Sequence, residues 1–88
     1  MPAKSHVYTG TRLYNTWLNM KQRCFNPNYP RYKDYGGKGV LMCEEWKNSF
    51  ETFMEWSLSH GYSDSLTIDR KNNNGSYEPD NCQWIILS

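Results

Sequence analysis

Apolar residues recur along this chain first at helical and then at strand spacing. Leu13, Trp17, Met20 and Cys24 follow one another at intervals of four, three and four. That spacing sets them on one stripe of an α-helix over about Thr11–Cys24, with Arg12, Asn15, Asn19 and Arg23 on the wet side. Asn26-Pro27-Asn28-Tyr29-Pro30 ends the helix, because proline lacks a donor and keeps its preceding neighbour out of helical geometry. Val40-Leu41-Met42 predicts a short strand. From Cys43 to about His60, Trp46, Phe50, Phe53 and Met54 with Ser57 or Leu58 predict a second helix. Glu44 and Glu45 suit its positive end, and His60 and Gly61 suit its termination. Leu66-Thr67-Ile68-Asp69 alternates as a half-buried strand does, Asn74-Gly75 is a hairpin-turn signal, and the apolar stretch from Cys82 to Leu87 closes the chain. The expected class is α+β, with two helices packed on a short β-hairpin.

Composition adds a question of stability to this pattern. The chain has 88 residues and a mass of 10.5 kDa, enough for one domain over 11–88 preceded by a loose arm over 1–10. Leu, Ile, Val and Phe number only 14 of the 88 residues, a share at which disorder becomes the alternative. Four Trp and seven Tyr argue against it, since each ring buries a large area and substitutes for aliphatic core. Trp84-Ile85-Ile86-Leu87 is the longest apolar run, far short of a membrane span, so no membrane partner is expected. Met1-Pro2-Ala3-Lys4-Ser5-His6 lacks the apolar stretch of a secretory signal. Cys24, Cys43 and Cys82 are odd in number and form no Cys-x-x-Cys pair, which points to a reducing cytosol.

Charge changes the picture once it is resolved along the chain. The net charge of +1 excludes a uniformly polybasic coat. Residues 1–38 nevertheless set Lys4, Arg12, Lys21, Arg23, Arg31, Lys33 and Lys38 against Asp34, a balance of +6. Residues 39–69 set Lys47 against Glu44, Glu45, Glu51, Glu55, Asp64 and Asp69, a balance of −5. Such a chain either presents a basic face to phosphate or neutralises itself where its halves meet. In residues 25–39, Tyr29, Tyr32 and Tyr35 interleave with Arg31, Lys33 and Lys38 before Gly36-Gly37-Lys38-Gly39. The glycines either bring backbone N–H groups close to an anion or make a tight turn.

The most specific segment is Leu66-Thr67-Ile68-Asp69-Arg70-Lys71-Asn72-Asn73-Asn74-Gly75, followed by Asn81-Cys82-Gln83-Trp84. It resembles the ββα-metal motif of phage HNH endonucleases, in which an apolar strand ends in Asp-His and an Asn-rich loop returns through an Asn-x-x-Trp-like stretch. Upstream, the run from Trp17 through Tyr35-Gly36-Gly37-Lys38-Gly39-Val40 to Cys43-x-Glu45-Trp46 is similar to the same phage proteins. The resemblance implies that Asp69 stands at the metal-ligand position for Mg²⁺ and that Asn81 is the middle Asn, which orients loop and base. It also places Arg70 where the family has its catalytic His. A guanidinium stays protonated at ordinary pH and cannot accept a proton from water. It does bind phosphate bidentately. The family's last ligand lies on a helix beyond the Asn-x-x-Trp stretch, so that helix is expected to be truncated here. Some HNH proteins are braced by zinc on four Cys. Cys24, Cys43 and Cys82 are single, so the expectation here is that the thiols are small buried apolar groups, against the alternative of a zinc site that His60 or His6 would complete.

The resemblance implies a nucleic-acid-binding module without cleavage, acting in the cytoplasm of a bacterial host. DNA is its expected partner, with Arg12, Arg23, Arg31, Lys33, Lys38, Arg70 and Lys71 on phosphates and Tyr32 and Tyr35 available for stacking. Two alternatives stand beside it. One is a phage inhibitor whose acidic helix, with Glu44, Glu45, Glu51 and Glu55, occupies the DNA channel of a host defence nuclease. The other is a Mg²⁺-dependent nicking enzyme in which Asp69 and Asn81 are catalytic.

Overall fold

A computed structural model describes residues 10–86. The expected arm therefore lies, apart from Gly10, outside the described residues, as do Leu87 and Ser88. Helix α1 spans Arg12–Phe25 and buries Leu13, Trp17, Met20 and Cys24, the stripe its spacing predicts. Thr11 caps it by accepting from the Tyr14 N–H at 3.1 Å, and the chain turns extended at Asn26.

The second helix departs from expectation. It is two helices, α2 (Glu44–Asn48) and α3 (Phe50–Ser59), with Ser49 between them in extended backbone at φ −149° and ψ 108°. Ser49 Oγ accepts from the Thr52 N–H at 3.2 Å and so caps α3. A serine N-cap inside a run of helical periodicity is enough to restart the helix, because the hydroxyl satisfies a backbone donor that a continuous helix would have bonded internally. The break lets Trp46 enter the core from α2 while Phe50, Phe53 and Ser57 enter from α3; Trp46, Phe53 and Ser57 are fully buried.

Strands β1 (Leu66–Arg70) and β2 (Cys82–Ile86) form the antiparallel hairpin, in register from Leu66 opposite Ile86 to Arg70 opposite Cys82. Asn74-Gly75 is not a two-residue hairpin turn. It lies within the longer connection 71–81, where Gly75 N–H donates to Asn72 O at 2.9 Å and Asn74 N–H to Asn72 Oδ1 at 2.9 Å. Val40-Leu41-Met42 also forms no strand. Met42 makes one parallel bridge to Tyr77, with Tyr77 N–H donating to Leu41 O and Cys43 N–H to Tyr77 O, both at 2.9 Å.

The architecture is thus a small α+β fold of several helices and a two-stranded hairpin, with aromatic side chains filling the core. Trp17 Nε1–H donates to Trp46 O at 2.7 Å and ties α1 to α2. Trp46 meets Phe53 edge to face at 5.0 Å and Trp56 at 4.8 Å. Trp84 from β2 adds contacts to Phe53 and Tyr62. Among the described residues, no helix is long and apolar enough to cross a membrane.

Candidate nucleic-acid interface

Arginines far apart in the chain converge on two tyrosines at one side of the fold. Arg23 comes from the last turn of α1, Arg31 and Tyr35 from the loop after it, Arg70 from the end of β1, and Tyr77 from the 71–81 connection. The loop is pressed into this position by two 3-10 turns, Tyr32–Asp34 and Gly36–Lys38. Gly36 is there for a close approach within the chain. A Cβ on it would stand 2.3 Å from Cys24 O and 2.4 Å from the Tyr32 ring, so no larger residue fits between the loop and the end of α1. Of the two readings of these glycines, the tight turn is the one this packing realises.

Tyr35 and Tyr77 stack at 6.3 Å with 14° between their planes. The Arg70 guanidinium carbon lies 5.1 Å from the Tyr35 centroid and 5.3 Å from that of Tyr77. Those of Arg23 and Arg31 lie 5.4 and 5.8 Å from Tyr35. Arg23 Nη1–H also donates to the Tyr77 hydroxyl at 3.1 Å. Burial opposes the Arg23 charge, but Tyr77 and the neighbouring Tyr35 and Tyr29 outweigh it and raise its pKa above the ordinary value. Burial pushes the Tyr77 hydroxyl up, against the pull of Arg23 in the other direction. Both groups therefore hold their protons, and the cluster carries unneutralised positive charge. Arg31 is the exception, since its Nε–H donates to Asp34 Oδ2 at 3.1 Å on an exposed surface.

Arg70 also has a local task. Its Nη1 donates to Asn73 O at 2.6 Å and to Gly75 O at 2.7 Å, gathering the carbonyls of the 71–81 connection. Asn81 holds the same connection from the other end. Its Oδ1 accepts from Asn72 N–H at 3.0 Å, and its Nδ2 donates to Asn72 O at 3.1 Å and Ser76 O at 2.9 Å. A Cβ on Gly75 would stand 2.7 Å from that Nδ2, so the turn and the Asn81 clamp require each other. Beside this loop opens a polar cleft of about 200 Å³ lined by Asp34, Lys38, Val40, Arg70, Asn73 and Asn74.

Asp69 lies apart from Arg70. Successive strand residues face opposite sides of the sheet; Asp69 Oδ2 accepts from Gln83 Nε2 at 3.0 Å, its cross-strand partner, while Arg70 turns to the tyrosines. Asn81 likewise points its amide into the connection.

The zinc alternative finds no ligand cluster to support it. Among the described residues, no three or more His, Cys, Asp or Glu side chains are grouped to hold a metal ion. Cys24 and Cys82 are buried free thiols, pushed up to about 11 by burial against the opposing charge of Arg70, and Cys43 is half-buried. His60 sits at the end of α3 with Nδ1 2.8 Å from Trp56 O, its ring stacked on Trp56 at 4.8 Å. The backbone carbonyl and the indole hold that imidazole where the helix ends.

Of the remaining candidates, Lys33 and Lys71 are exposed. The Tyr32 ring is committed to Gly36 and Gly37. Arg12 stands at the other end of α1, lining a separate groove with Leu13, Phe50, Met54, Leu58, Tyr62 and Asp64. Tyr77, which organises the cluster, gave no signal in the sequence, because it is 54 residues from the Arg23 it meets. No protein-family model, curated protein or solved structure matches the chain.

Proposed function

We propose that this protein is a phage-type HNH-like nucleic-acid-binding module that does not cleave its ligand. The observation that carries the reading is the convergence of Arg23, Arg31 and Arg70 on Tyr35 beside the Lys38 cleft. Guanidiniums lying over rings hold their planes in place while their remaining N–H groups address phosphate oxygens, and this favours bidentate contact. Absence of cleavage follows from Arg70, a permanently charged group at the position where the HNH resemblance requires a proton acceptor. Its Nη1 is moreover committed to loop carbonyls.

Gel shift on a DNA duplex across a salt series tests the binding. Affinity falls steeply between about 50 and 200 mM salt if several phosphates are contacted; a flat titration overturns the reading. Plasmid nicking that requires Mg²⁺ and disappears in Asp69→Ala would replace it with the nuclease. A second reading draws on Glu44, Glu45 and Glu55, exposed on α2 and α3. They suit the basic channel of a host nuclease, and a complex with such a protein that survives nuclease treatment would favour inhibition.

A further inference from the structure

A second basic cleft, with a half-exposed ring at its wall, lies where the last turns of α1 pass α2. It measures about 430 Å³ and is lined by Lys21, Gln22, Phe25, Asn26 and Lys47. We infer that this cleft receives an unpaired base and its phosphate from a single-stranded nucleic acid, with Phe25 as the stacking platform and Lys21 and Lys47 as the phosphate contacts. The inference rests on the nucleic-acid reading above and deepens it, because it names the strandedness of the ligand.

Three observations carry it. Phe25, the last residue of α1, keeps 36% of its surface exposed. The Lys47 ammonium lies 4.8 Å from its ring centroid. Lys47 is the lone cation of an acidic segment and turns toward α1, whereas its neighbours Glu44 and Glu45 are exposed. Lys21 Nζ lies 4.5 Å from the Trp17 centroid. Among the described residues neither ammonium is in an ion pair, and each lies over an aromatic ring. Such contacts are weak at a surface, and a phosphate displaces them readily. Moving Lys47 onto a phosphate uncovers the Phe25 face for a base.

Gln22 accepts from Asn26 Nδ2 through its Oε1. Its amino group is therefore the end left for a base carbonyl or a phosphate oxygen. An aromatic platform flanked by cations is the arrangement that binds single strands without regard to sequence. A duplex keeps its base faces stacked inside and has none to offer this ring. The cleft and the Arg23 cluster flank the same helix: Lys21 and Arg23, two residues apart, lie about 200° apart around it. One strand leaving the Phe25 cleft thus reaches the second cluster by passing the end of α1.

The test is fluorescence anisotropy of the full chain with labelled oligo-dT, oligo-U and a DNA hairpin duplex, each at two salt concentrations. Phe25→Leu is expected to weaken single-strand binding about tenfold and leave duplex binding unchanged. Phe25→Trp is expected to retain the single strand, and Lys47→Gln to lower both its affinity and its salt dependence. The tighter of oligo-dT and oligo-U identifies the natural class of strand. Unchanged single-strand binding by Phe25→Leu, with Lys38→Gln weakening every ligand, overturns the inference and leaves the binding module standing. Equal loss of strand and duplex in Phe25→Leu also overturns it. If no ligand binds in a salt-dependent manner, the module itself falls.

Discussion

Two groups of aromatic rings share helix α1 and are put to opposite uses. In the core, Trp17 meets Phe50 at 5.5 Å and Trp46 meets Phe53 at 5.0 Å, ring edges against ring faces. There the positive edge of one ring satisfies the negative face of the next, although Trp17 also has the Lys21 ammonium 4.5 Å from its centroid. At the Arg23 cluster the faces of Tyr35 and Tyr77 are given to guanidiniums instead. The first group excludes water and supplies stability. The second keeps charge at the surface and fixes its geometry. A chain poor in aliphatic residues thus uses its rings twice, and burial alone does not separate the two uses: Tyr77 is as buried as the core rings, yet its ring meets Arg70 and its hydroxyl meets Arg23.

Trp46→Ala removes the ring that meets Phe53 and Trp56, and is expected to cost about 3–5 kcal/mol, enough to unfold a domain of this size. Loss of near-ultraviolet circular dichroism at room temperature would show it; a cooperative transition within a few degrees of the parent would contradict the assigned core.

On the other side, Arg70→Gln takes away two charge-assisted bonds to Asn73 O and Gly75 O. The expected loss is about 1.5–3 kcal/mol per such bond at most, together with weakened nucleic-acid binding. Amide hydrogen exchange should accelerate across 71–81 and leave α1 protected. Uniform acceleration through the chain would show that Arg70 belongs to the core rather than to the interface. Asn81→Ala is expected to cost about 1–3 kcal/mol by orphaning groups in the same connection, with urea unfolding as the measure.

Alkaline pH probes the boundary between the two regions. Cys24 and Cys82 have pKa values pushed up to about 11 in the fold, above the ordinary thiol value of 9.0. Between these values the unfolded chain loses thiol protons that the folded chain retains. The stability they contribute is therefore complete below pH 9 and is lost as pH rises toward 11. The melting temperature should fall across that interval, and less so in Cys24→Ala than in the parent.

The smallest effect is at Ser57, whose fully buried hydroxyl has no hydrogen-bond partner among the described residues. Ser57→Ala should be neutral or stabilising by up to about 1 kcal/mol. Marked destabilisation in a thermal melt would mean that a bound water serves this hydroxyl.

Much of the local structure was legible in the sequence, but its interruptions were only partly so. The α1 stripe and strand β1 follow from spacing, and β2 from the expectation of a hairpin. The break at Ser49 had a signal in the serine itself, which the continuous aromatic stripe on either side outweighed. The hairpin connection was misread because Asn74-Gly75 is a turn signal without being the strand-joining turn; Asn81, bonding to Asn72 and Ser76, holds the larger loop. Of the candidate site, Arg23, Arg31, Arg70 and Tyr35 were singled out as types, but their meeting at one place was not visible. Phe25 and Lys21 share a helical face by their spacing, whereas Lys47 comes to them from another helix.

The sequence alone determined helix α1, strand β1 and that opposite charges occupy different segments. Contacts between residues three or four apart, or alternate along a strand, are set by local geometry and need no knowledge of the rest of the chain. Tertiary structure alone decided that Tyr77 would lie between Arg23 and Arg70, and that Lys47 would turn from the acidic segment onto Phe25. Those meetings depend on how the aromatic core orients α1, α2 and the hairpin, and on which loop closures that packing repays. The near-zero net charge therefore conceals a cluster of arginines that exists only in the folded molecule.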